Sequence, residues 1–207
     1  MDYLDRVRDN VLVLSLSSDV RSALNEWDFT DEVVDHCKPI QACELCDTQG
    51  LRYHFEIANR NTQESLWVGS TCILRFDLGV YENGVLLDRI GAKRKLTILM
   101  EKLRFESCLI ALREVNASEG NVILTNALKY LLKNSYLTPK FAFVVLWRLQ
   151  VNRIDHNPRH FRVRLKTDRH KADFAGMEKS KVDVIWPALS SSQRKLAKRL
   201  GHSSPKD

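Results

Sequence analysis

Along the first 36 residues the apolar positions Leu4, Val7, Val11 and Leu14 fall at steps of three and four, the spacing of one helical face. The run "SSDVRSALNEW" adds serines that suit an N-cap and Asp19 for a first turn, so residues 1–36 are expected to be helical. Over 51–70 the period drops to two. In "LRYHFEI" the positions Leu51, Tyr53, Phe55 and Ile57 alternate with Arg52, His54 and Glu56, "NRNTQ" supplies turn chemistry, and "SLWVG" returns. The pattern predicts a β-hairpin that pairs 51–59 against 64–72 and sets Cys72 roughly opposite Leu51. "CILRF" then reads as one or two helical turns.

From about Leu86 the helical period resumes, with Leu96, Leu99, Met100, Leu103, Leu109 and Leu112 on an apolar side. "NASEGN" interrupts it before "VILTNALKYLLKN". Thr138 as cap and Pro139 at the first helical position announce another helix. "HFRVRLK" alternates again and is expected to be a strand. "SSSQRKLAKRLG" reads as a last helix stopped by Gly201. The expected fold is therefore mainly α (α+β): a helical protein carrying an inserted β-hairpin, with a basic helical C-terminal unit. The expected organisation is an acidic unit over 1–85 with its hairpin module at about 36–78, a basic unit over 86–201, and a disordered tail over 202–207.

Charge strengthens this division. The 207 residues carry a net +6, yet residues 1–90 hold 8 Lys/Arg against 16 Asp/Glu, while residues 91–207 hold 24 against 10. The halves are thus −8 and +14, which implies different partners or mutual attraction. The longest apolar run in the C-terminal half, "FAFVVLW", is too short to cross a bilayer, and no secretory signal is evident, so a cytoplasmic protein without a membrane partner is expected.

Cysteine spacing supplies the candidate chemistry. Cys43 and Cys46 form C-x-x-C, a turn that aims two thiolates at one ion, and the hairpin returns Cys72 beside them. An odd total of five cysteines argues against a disulfide framework. A knuckle, a hairpin and a helix opening with a ligand is the order of a treble-clef finger. Its usual fourth donor would lie three residues after Cys72, where this chain has Arg75. His54 is the first candidate to replace it; Cys37 and His36 are alternatives. With three or four protein ligands and no aimed base, a zinc ion here would be structural. Cys108 lies on an apolar helix face and reads as core.

The run "CELC…LRYHFEIANRNTQESLWVGSTCILRF" resembles a small zinc-binding module of bacteriophage and mobile-element proteins. The resemblance rests on Cys43, Cys46, Asn59, Val68, Gly69, Ser70, Cys72, Ile73 and Phe76, and it covers about 35 residues. It implies a metal-dependent fold and a prokaryotic or viral setting inside the cell, and no particular activity. Asp47 departs from the pattern, since many relatives have Gly after the second cysteine.

The basic half holds the second candidate. If "HFRVRLK" is a strand, Phe161, Val163 and Leu165 point one way and Arg162, Arg164 and Lys166 the other. Arg153, Arg159, Arg169 and Lys171 thicken the field, and Arg194, Lys195, Lys198 and Arg199 follow on the last helix. Such clustering is the footprint of phosphate-backbone contact by DNA or RNA. "IDHNPRH" superficially suggests a metal nuclease but reads better as a polar turn. There is no Gly-rich phosphate loop and no G-x-S-x-G. The expected function is a non-enzymatic, zinc-stabilised nucleic-acid-binding protein. The alternative is an interaction factor that docks a host or defence protein through the acidic module, with Trp67 as anchor.

Overall fold

Asp2 opens the first helix. Its carboxylate accepts from the Tyr3 amide and forms a reciprocal capping box with Asp5. Helix α1 (Tyr3–Val13) buries Val7 and Val11, and a short α2 (Val20–Leu24) follows, capped by Asp19. The computed structural model, which describes residues 2–205, then departs from the helical reading of 1–36. Residues Trp27–Asp35 form a strand, β1. Trp27 and Phe29 are buried on one face, and a bulge at 30–32, with Asp31 at φ 72°, shifts the register before Val33. The bulge puts two extra residues into β1 and exposes 30–32, so Val33 returns to the face of Trp27 and Phe29 only after a gap; that gap is what made the strand illegible.

A small pair, β2 (Gln41–Ala42) and β3 (Gln49–Leu51), frames the C-x-x-C turn. Strands β4 (Tyr53–Asn59) and β5 (Ser65–Val68) then form the expected hairpin. Phe55 pairs with Val68 and Ala58 with Ser65, the register that the sequence predicted. The hairpin is not alone: β1 adds to it, giving a three-stranded antiparallel sheet in the order β1-β4-β5. Helix α3 (Ser70–Arg75) follows directly, then a second tiny pair, β6 (Tyr81–Glu82) and β7 (Val85–Leu86).

Helix α4 (Arg89–Glu119) runs for 31 residues. The chain divides within it into two compact units, Met1–Leu103 and Arg104–Asp207, rather than at residue 85. Ala92 and Leu96 belong to the first core, whereas Cys108, Leu109 and Leu112 belong to the second. In the second unit α5 (Val122–Asn134) and α6 (Pro139–Val151) pack together, followed by α7 (Asp168–Ala175), α8 (Lys179–Ile185) and α9 (Ser191–Arg199). Thr138 caps α6 through the Phe141 amide with Pro139 at its first position, as predicted. "HFRVRLK" is not a strand. Its only bridge is Val163 to Leu137, but the alternation is real, since Phe161, Val163 and Leu165 are all buried. The expected disordered tail begins with an anchored residue: His202 bonds to the Phe174 carbonyl at 2.9 Å and packs on its ring. Residues 206–207 lie outside the described residues.

The hairpin turn is fixed by a buried polar network. Asn59, 1% exposed, accepts from the Asn61 and Thr62 amides through Oδ1, while its Nδ2 donates to the Glu26 carboxylate at 2.9 Å. Glu26 also accepts from the Leu16 and Ser17 amides. Donation by Asn59 first, and by these amides next, holds its pKa down to about 2.

Two outcomes follow. Phe55 is fully buried between sheet and core, so Phe55→Ala is expected to destabilise the first unit by about 3–5 kcal/mol in chemical denaturation. Glu26 titrates lower folded than unfolded, so its contribution is complete above its ordinary 4.5 and is lost as pH falls from 4.5 towards 2. Thermal midpoints of the first unit across that window should drop less in Glu26→Gln than in the wild type.

Candidate metal centre and basic groove

Three elements converge on one point in the first unit. The knuckle between β2 and β3 is closed by the Cys43 amide on the Thr48 carbonyl (2.9 Å) and the Asp47 amide on the Cys43 carbonyl (2.7 Å). Asp47 sits at φ 58°, a left-handed conformation that Asp adopts more readily than most side chains. Glu44 fastens the knuckle to β5, since its amide bonds to the Trp67 carbonyl and its carboxylate accepts from the Trp67 amide at 2.5 Å. That carboxylate is used structurally. Cys72 arrives on the first turn of α3, with its amide on the Gly69 carbonyl.

The sulfurs of Cys43, Cys46 and Cys72 all lie within 4.8 Å of one another, and all three residues are buried. Cys72 Sγ is 3.6 Å from Cys43 Sγ and 3.3 Å from Cys46 Sγ. Two thiolates at about 2.3 Å from a tetrahedral ion stand about 3.8 Å apart. The sulfurs are thus nearly at the spacing of a shared ligand sphere, and the cluster can hold a metal ion. Local polarity favours charge on sulfur. Cys43 is lowered to about 5, first by the Cys72 thiol that donates to it and then by the amides of Gly69, Cys46 and Leu45. Cys72 is pushed the other way, because its proton is held between sulfurs.

The expected fourth donors are elsewhere. Among the His, Cys, Asp and Glu side chains of the described residues, only the three cysteines converge as a ligand group. His54 was the leading candidate, but the pleat that turns Phe55 and Ile57 into the core with the cysteines turns His54 to the other face of β4. There its Nε2 meets the Ala42 carbonyl at 3.0 Å, and its ring stacks on Trp67 and meets the edge of His36. Cys37 is exposed. Two groups that spacing could not have revealed approach the sulfurs instead: Thr48 Oγ1 is 3.2 Å from Cys46 Sγ, and Tyr3 Oη is 3.5 Å from Cys72 Sγ. Both line a cavity of about 310 Å³ beside the cluster. Cys108 is core, and burial raises its thiol to about 12.

The second unit has a groove of about 890 Å³. Of the nine predicted contact residues, Arg162, Lys166, Arg194 and Arg199 line it, joined by Arg159. Its floor is apolar, built from Val163, Leu165, Leu189 and Leu196. Ser190, Ser191 and Ser192 line it at the start of α9, where Ser190 and Gln193 form a capping box. Gln193 also donates to the Val163 carbonyl, which fixes the helix to the "HFRVRLK" segment. Among the described residues no carboxylate lines the groove. Arg194 is partly committed to the Trp186 and Pro187 carbonyls. The remaining predicted cations are not in it: Arg164 lies over the Tyr136 ring, Lys171 pairs with Asp168, and Arg169, Lys195 and Lys198 fall outside the lining.

The "IDHNPRH" residues have structural tasks. Asp155 pairs with Arg104 at 2.6 Å, His156 Nδ1 meets the Ile154 carbonyl, Asn157 caps a short 3-10 turn, and His160 packs edge-on to Phe105. No helix among the described residues is long and apolar enough to cross a membrane. Comparison of the chain with protein-family models, curated proteins and solved structures finds no match.

One divalent ion per chain is expected in native mass spectrometry. The stoichiometry should fall to zero in a Cys43→Ser/Cys72→Ser double variant and stay unchanged in Cys108→Ser.

Proposed function

We propose that the chain is a non-enzymatic, zinc-stabilised nucleic-acid-binding protein of the phage or mobile-element kind, working inside a prokaryotic or infected cell. The ion is structural in this reading. It ties knuckle, hairpin and α3 together in a treble-clef-like arrangement, and its binding supplies folding free energy on the order of 10 kcal/mol. Zinc suits the donors better than other common ions, because three sulfurs favour a borderline-soft metal over magnesium or calcium.

The observation that carries the binding reading is the groove of the second unit. Among the described residues it gathers Arg159, Arg162, Lys166 and Arg199 along an opening without a carboxylate, and none of these four has an ion-pair partner there. Unneutralised cations beside serine hydroxyls fit a string of phosphates. Among the described residues no aromatic side chain lines the groove, which favours backbone contact over base stacking. Little sequence discrimination is the corollary.

Titration of a short single strand or duplex by fluorescence anisotropy tests this. Affinity should fall steeply between about 50 and 200 mM salt. Replacing Arg162, Lys166 and Arg199 together by Ala should weaken binding and reduce the salt slope by about 2–3, whereas Lys129→Ala/Lys133→Ala on the exposed face of α5 should leave both unchanged. Wild-type affinity retained by the triple variant would discredit the groove as the binding surface.

A further inference from the structure

A module of this order would place its fourth donor at position 75, and this chain has an arginine there. Its guanidinium lies over the ring of Tyr3, 4.5 Å from the centroid, and Tyr3 in turn points its hydroxyl at the cysteine cluster. We propose that Tyr3 Oη is the fourth ligand of the ion held by Cys43, Cys46 and Cys72, with Arg75 as its positioning residue. This rests on the metal reading above and goes beyond it.

Geometry supports the assignment first. With sulfur at about 2.3 Å and oxygen at about 2.0 Å from a tetrahedral ion, the sulfur–oxygen edge is about 3.5 Å. Tyr3 Oη stands 3.5 Å from Cys72 Sγ. The ring is also held in place. It stacks on Phe76 at 6.2 Å with an interplanar angle of 14°, and Arg75 covers it. Its backbone is fixed at the first position of α1 by the Asp2 capping box. Such restraint on both ring and backbone is what a ligand needs to keep one geometry.

Charge completes the case. Three thiolates and a phenolate around a divalent cation leave an excess of two negative charges in a buried site, and an adjacent guanidinium offsets one of them. Arg75 thus replaces a ligand with a cation that steadies a different ligand. Thr48 is the competing oxygen, but an aliphatic hydroxyl is a poor metal donor. Its 3.2 Å contact with Cys46 Sγ fits a hydrogen bond to a thiolate. Phenolate is an established ligand to iron in haem proteins, and the same oxygen suits zinc.

Cobalt(II) is the probe, because its visible bands report the ligand sphere where zinc is silent. The full chain is loaded with one equivalent of cobalt and titrated with imidazole, for the wild type and for Tyr3→Phe. The variant keeps the ring, its stacking and the Arg75 contact, and circular dichroism checks that it folds. In the wild type the fourth position is filled, so the spectrum should not respond to imidazole. In Tyr3→Phe water takes that position, cobalt affinity should fall at least about tenfold, and imidazole should shift the bands. A wild-type spectrum that responds shows an open position and overturns the assignment. Two unresponsive spectra place the fourth ligand elsewhere and overturn it equally. Failure of the wild type to take up cobalt removes the metal reading itself, a distinct result.

Discussion

Three buried sulfurs within 4.8 Å of one another, Cys72 Sγ only 3.6 Å from Cys43 Sγ and 3.3 Å from Cys46 Sγ, impose the constraint that organises the first unit. Two full charges 3.6 Å apart repel by about 5 kcal/mol at an effective dielectric of 20. Three thiolates therefore cannot coexist there without a cation; the opposed shifts, Cys43 down and Cys72 up, are those of two sulfurs that share one proton. The backbone has nevertheless been shaped for thiolates. Amides of Gly69, Cys46 and Leu45 face Cys43, Asp47 accepts a left-handed turn, and Glu44 clamps the knuckle to the hairpin. A C-x-x-C that only filled core volume would need none of these.

How much of this was legible depended on whether a signal was local. The hairpin register followed from alternation across a short turn, because one face had to be buried and a slip by one residue would reverse every side chain. That register delivered Cys72 to the knuckle. The same alternation rule, applied to His54, would have excluded it as a ligand: neighbours on a strand face opposite ways, and Phe55 and Ile57 point to the sulfurs' core. Strand β1 was hidden because its bulge exposes 30–32 and interrupts the alternation between Phe29 and Val33, leaving Trp27 and Phe29 too short a pattern beside a periodic helix. Tyr3 was out of reach altogether, since no spacing rule links it to a residue 69 positions away.

The basic half shows a milder form of the same limit. Alternation in "HFRVRLK" separated the buried residues from the cations correctly, yet the segment makes one bridge rather than a strand. What brings Arg162 and Lys166 beside Arg199 is a side-chain bond, Gln193 to the Val163 carbonyl, and the serines read as caps turn out to line the groove as well. Charge counting alone spread the candidates over the whole half; tertiary contact sorts them. Arg164 is spent on Tyr136 and Lys171 on Asp168, while the groove cations stay unneutralised.

The spacing of the donors along the chain also bears on the order in which the first unit assembles. The sulfurs span only residues 43–72, whereas the Tyr3 contact joins positions 3 and 72. Closing a loop of 69 residues costs about 0.8 kcal/mol more chain entropy than closing one of 29. The contacts among the three cysteines thus close at a lower entropic cost than the contact that joins α1 to them.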